Sequence, residues 1–251
     1  MKVLIATLLV TAATPAFADA ADSFRDARWA SVVTEGRAEA TAASLVLAGR
    51  AQLAIAAYDT RDKARALDLV AAAERDFDAA LAKAPNNPEA QIQKAVAIGY
   101  RAKLTRSPGL GKDARRRFEA VKAAHPEMAL AWAAVAGWHG GAVATLGGFM
   151  AGTLMGAKTA EFDKGFAQAL KLDPANPVNR VFFAMTLLDL DKANAKRAVA
   201  ALQGVAQLPA RDGYEALVRS QGVRLLASLK AGDASAAQVL ARRLQAFGNL
   251  G

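Results

Sequence analysis

The chain contains no cysteine. Disulfide bonds and thiolate metal sites are therefore excluded, while the compartment stays open, because a cysteine-free protein is compatible with any of them. Histidine is almost as scarce: His125 and His139 are the only two, and their spacing matches no metal-ligand signature. Aromatic residues make up 6% of the chain and are not interleaved with its basic residues, so the composition lacks a nucleic-acid reading motif. There is no Gly-x-Gly-x-x-Gly or phosphate-loop sequence. Ser31, Ser44 and Ser235 have no identifiable base and orienting partner, so the constellation of a serine hydrolase is missing. Asp189 and Asp191 stand near one helix end, which does not make an opposed acid pair. The expectation is a non-enzymatic protein with no catalytic residues, no metal and no cofactor.

What is present begins with a leader pattern. Lys2 precedes an uncharged apolar run over residues 3–13, and Ala16, Phe17 and Ala18 then form an A-x-A end. This predicts a secretory signal peptide over residues 1–18 and a single mature domain over 19–251, in the periplasm or secreted. The formal net charge is +9, and removal of Lys2 lowers it by one. Such a balance favours anionic partners or surfaces without naming them. Arg115, Arg116 and Arg117 form the one compact basic triplet, expected to be a solvated helical face.

Long runs of alanine with leucine, valine, lysine, glutamate and arginine have high helix propensity, and no stretch alternates with a period of two. The predicted fold is all-α, with helices over 23–35, 39–58, 62–83, 89–104, 128–140 and 178–190. One spacing recurs three times: Phe77, Ala80 and Pro85; Phe118, Val121 and Pro126; Phe166, Ala169 and Pro174. Each proline stops one helix, and Pro88 and Pro177 open the next, because proline lacks an amide donor yet is tolerated in a first turn. A repeated unit of this kind predicts an array of helix pairs.

With Ala73 and Ala114 four residues before the first two phenylalanines, and Trp132 and Ala136 in the helix after Pro126, the pattern resembles the tetratricopeptide repeat family. That family is built from two-helix units of about 34 residues. The third copy carries Phe162 where the family has a small residue, and Arg197, Ala201, Gly204 and Pro209 resemble a degraded fourth copy. The intervals between Pro85, Pro126, Pro174 and Pro209 are unequal. The resemblance therefore implies an irregular, right-handed, tetratricopeptide-like α-α superhelix.

From residue 128 to residue 157 no side chain carries a formal charge if His139 is neutral. Gly148, Gly152 and Gly156 recur every four residues, a spacing that permits close helix approach. By length the segment could span a bilayer, but Trp132 and Ala136 fit the repeat and the Phe166 copy follows at once, so membrane insertion is not the expectation. Trp138, His139, Gly140 and Gly141, followed by an extra segment, are similar to a subgroup of tetratricopeptide proteins related to regulators of microtubule dynamics. No microtubule role follows from that similarity. His139 is expected to be packed or hydrogen-bonded.

Recognition is the function these features favour: a periplasmic interaction scaffold or envelope accessory protein binding an unidentified protein or peptide, and no nucleic acid. Ile92, Val96, Tyr100, Gly137, Gly141, Val181 and Met185 are expected on the concave face, unless a capping helix over 234–247 covers them. The alternative is an accessory protein of solute transport that holds a small apolar ligand, in a cavity lined by Trp138, Phe149 and Met150 beside His139.

Overall fold

The computed structural model describes residues 19–250; the leader expected over 1–18 lies outside them. The described residues form thirteen helices packed with their neighbours in a superhelical array. They are α1 (Ala20–Arg25), α2 (Trp29–Glu39), α3 (Ala42–Ala54), α4 (Lys63–Lys83), α5 (Pro88–Thr105), α6 (Pro108–Ala124), α7 (Ala129–Leu146), α8 (Gly148–Met150), α9 (Thr159–Leu172), α10 (Pro177–Leu190), α11 (Ala195–Leu202), α12 (Gly213–Lys230) and α13 (Ala234–Leu244). π-helical turns extend α3 over Ile55–Asp59 and α8 over Ala151–Met155.

The recurring proline spacing is a recurring turn. Ala84, His125 and Asp173, each just before a proline, share one backbone conformation, with φ −141, −133 and −137° and ψ 80, 67 and 77°. Each donates its N–H to the carbonyl of the small residue four earlier, Ala80, Val121 or Ala169. The side chain six residues beyond the proline then closes the turn onto the proline carbonyl: Gln91 onto Pro85 at 2.9 Å, Trp132 onto Pro126 at 2.8 Å, Arg180 onto Pro174 at 3.3 Å. Three chemically different donors serve one backbone acceptor, so the repeat is conserved in geometry along the chain although the residue type is not. Asn87 and Asn176 cap α5 and α10 by accepting from the amides of Ala90 and Val178, which satisfies donors that a helix start leaves open. The suggested fourth copy lacks this turn: Gly204 is left-handed at φ 74° and leads into a 3₁₀ turn at Val205–Gln207.

Packing follows from the same spacing. Ala73, Phe77, Ala80, Ala114, Phe118, Val121, Ala136, Phe162, Phe166 and Ala169 are all buried. Trp132 is half-buried, with the Lys122 ammonium over its ring. Phe162 does not disturb its small-residue position because its ring meets Phe166 edge-on at 5.3 Å and fills the space against α7. The partner surface is a glycine: a Cβ on Gly49 would overlap the Phe77 ring, and one on Gly140 would stand 2.7 Å from Phe162. Gly165 meets Ala136 in the same way, at 2.7 Å. These glycines let the two helices of a pair approach.

Two expectations need correction here. The first helix is divided, because Ala27 turns left-handed at φ 58° and α1 ends before α2 begins. Gly148 and Gly152 do not mediate helix approach: nothing stands within 4 Å of a Cβ on Gly148, and Gly152 meets only the Ala157 carbonyl, at 3.7 Å.

The packing predicts opposite signs for two glycine substitutions. Gly49→Val drives a branched side chain into the buried Phe77 ring and should destabilise by about 1–3 kcal/mol. Gly137→Ala points into open space on α7 and should stabilise by about 0.5–1 kcal/mol. Urea denaturation of the two variants checks both.

Candidate functional site

The concave face expected to bind is filled by the chain itself. Ile92 lies in the core between α5, α6 and α7; Val181 and Met185 are sealed against α12 and α13. Val96 and Tyr100 are half-buried and pack on the cluster that contains Phe247. The Phe247 ring stands edge-on to Tyr100 with centroids 4.9 Å apart, and its N–H donates to the Ala57 carbonyl at 3.0 Å. Lys103 donates to the Ala246 carbonyl at 2.8 Å, and Arg242 grips Asp189 at 2.7 Å. Ile92, Val181 and Met185 are thus core residues: α6 and α7 bury Ile92, and α12 and α13 close the apolar face that carries Val181 and Met185. Asp189 is held by Arg242 and Gln245, while Asp191 caps the following 3₁₀ turn, so the two carboxylates do not face each other.

Further inside, Tyr58, Tyr100 and Tyr214 come from the turn after α3, from α5 and from α12. Tyr58 and Tyr214 have ring centroids 6.3 Å apart. Burial pushes all three phenols above their ordinary pKa, Tyr58 and Tyr100 strongly. The Tyr58 hydroxyl is enclosed and has no hydrogen-bond partner.

The uncharged segment takes a different form from the expected cavity. α7 is the one helix among the described residues long and apolar enough to cross a membrane. Ala131, Val135 and Ala136 nevertheless lie buried against the neighbouring helices, a packing that argues against insertion of the helix. Beyond the packed part the chain runs out to a tip at which Leu146 is 40% exposed, Phe149 82%, Met150 45% and Leu154 49%. Gly137 and Gly141 face open space. Phe149 and Met150 therefore do not enclose a ligand with Trp138.

The base of this tip is clamped. Trp138 donates its indole N–H to the Gly111 carbonyl at 2.7 Å, and the Arg115 guanidinium lies 4.9 Å from the Trp138 ring centroid. The same guanidinium reaches the carbonyls of Met155 and Gly156 at 3.1 and 3.3 Å. His139, 1% exposed, accepts the Lys158 amide on Nδ1 at 3.1 Å. Because a backbone N–H donates there, Nδ1 carries no proton; burial, and then Arg115, hold the His139 pKa below its usual value. The basic triplet is thus not one solvated face: Arg115 holds the tip, while Arg116 and Arg117 pair with Asp113, whose carboxyl their hydrogen bonds hold below its ordinary pKa. The clamp spans residues far apart in sequence, so only the unusual Trp138–His139 pair signalled it.

Among the described residues, no three histidine, aspartate or glutamate side chains are grouped to hold a metal. No protein-family model matches the chain, and no curated protein matches it.

The His139 contact sets a pH dependence. Its folded pKa lies below the unfolded value of about 6.5, so its contribution is complete above that pH and is lost as pH falls through the folded pKa. His139→Asn retains an acceptor for Lys158 without titrating. The melting temperature of the wild type should therefore fall more steeply than that of H139N between about pH 6.5 and pH 5, as scanning calorimetry across that range would measure.

Proposed function

We propose that this protein is a non-enzymatic interaction scaffold of the bacterial cell envelope, exported to the periplasm. It is built as a right-handed, tetratricopeptide-like array and acts as an accessory to an envelope assembly. The observation that carries this reading is the apolar tip from Leu146 to Leu154, held at its base by Arg115, Trp138 and His139 while Phe149 is 82% exposed and Leu146, Met150 and Leu154 are 40–49% exposed. An exposed apolar cluster on a fixed support is the mark of an interaction site, and rigid support lowers the ordering cost of binding. The concave groove used by open repeat arrays is occupied by α13 and Phe247, so the engaging surface is the tip end of the array.

A photoreactive amino acid at Phe149 or at Leu154 should crosslink to an envelope component in cells, whereas one at Val239, exposed on the back of α13, should not. Crosslinks at Val239 with none at the tip would contradict the reading.

A second reading, capture of a small apolar ligand, is favoured by the enclosed and unpaired Tyr58 hydroxyl beside Tyr100 and Tyr214. It requires that native mass spectrometry of protein from its native envelope retain a small molecule which Tyr58→Phe releases.

A further inference from the structure

Exposed cations adjoin the tip and form no ion pair among the described residues. Gly111, at the start of α6, faces Met155 of the tip: a Cβ there would stand 3.1 Å from the Met155 methyl. The next residue, Lys112, is exposed, as are Arg106 at the end of α5 and Lys158 at the close of the tip. None of the three forms an ion pair among the described residues, whereas Asp113 is taken up by Arg116 and Arg117, and Glu119 by Arg115 and Lys122. Glu161, in the first turn of α9, forms no ion pair among the described residues. The tip itself bears no charge.

We propose that this end of the molecule docks on an anionic membrane surface. Phe149 and Leu154 enter the boundary between headgroups and acyl chains, and Lys112 and Lys158 meet lipid phosphates. The proposal rests on the tip being the engaging surface, and it names what the tip meets. An apolar wedge bounded by basic residues is the arrangement that binds at a bilayer interface without spanning it. Charge complementarity selects this occupant over a second copy of the chain: a two-fold contact through the tip would set Lys112 and Lys158 against their own counterparts. Burying α7 against its neighbours keeps the attachment peripheral, since that helix cannot leave the array without exposing the Phe162 and Phe166 cluster.

The test is cosedimentation of the exported full chain with vesicles of phosphatidylethanolamine and phosphatidylglycerol, and with vesicles of phosphatidylcholine alone. The wild type should pellet with the anionic vesicles and not with the neutral ones. Phe149→Ser combined with Leu154→Ser should weaken binding at least about tenfold. Lys112→Glu and Lys158→Glu should each weaken it by about fivefold or more, as should added salt. All four substituted side chains are exposed, and circular dichroism should show unchanged helicity. Absence of vesicle binding overturns the proposal, as does equal binding to neutral vesicles or binding that tip substitutions leave unaltered. A self-associated protein that the Phe149→Ser and Leu154→Ser pair turns monomeric likewise overturns it. If Phe149 crosslinks to a protein while vesicles are not bound, the scaffold reading survives and the membrane proposal fails.

Discussion

The inner faces of α3, α5 and α10 are apolar, and an array that left them open would hold a continuous hydrophobic strip against water. In this chain the strip is covered from within. Phe247 inserts beside Tyr100, its amide is fixed to the Ala57 carbonyl, and α13 lies along α10 with Arg242 locked on Asp189. A buried phenylalanine is worth about 1.5–3 kcal/mol relative to an exposed one, and the hydrogen bonds around it specify one register for the segment. The rest depends on that closure. It joins the end of the chain to its beginning, where Gly213 packs on Phe24 and Ala27 and Arg50 pairs with Asp212.

The tip is the opposite arrangement. A helix that begins inside the array, α7, continues past its last packed turn, and the chain turns at Gly147, with φ 75°, before returning through Gly156, with φ 68°. Glycine adopts these left-handed conformations without the steric cost other residues bear. The return is held by Arg115 and His139, both of which act on backbone groups, so the apolar side chains of the tip are left free of structural duty. A wedge mounted on a rigid base and adjoined by exposed cations suits a surface more than a cleft.

Much of the array was legible because its punctuation is local chemistry. Pro85, Pro126 and Pro174 each end a helix whatever packs around them, and the phenylalanine eight residues before each one has to be buried. The choice between an open and a covered concave face stayed open for a non-local reason: Val181 and Met185 lie on an apolar face, and periodicity does not say whether a ligand or a helix over 234–247 covers it; α13 does, while α6 and α7 bury Ile92. The glycines were misread. Gly148 and Gly152 have the spacing of helix contacts and touch almost nothing, whereas Gly49, and Gly140 beside Gly141, bring the helices together. A lone glycine inside an alanine-rich helix costs about 1 kcal/mol against alanine, and that cost is the signal that could have singled out Gly49. The break between α1 and α2 carries neither proline nor glycine, and nothing local announced it.

The account turns on whether the C-terminal segment truly occupies the concave face, and hydrogen exchange of the full chain in solution reads this directly. The Phe247 amide, donated to Ala57, should exchange slowly along with the amides of α13, while those of residues 148–150 at the tip exchange quickly. Exchange of the Phe247 amide as fast as in an unstructured peptide would show the groove open and contradict the assignment of recognition to the tip.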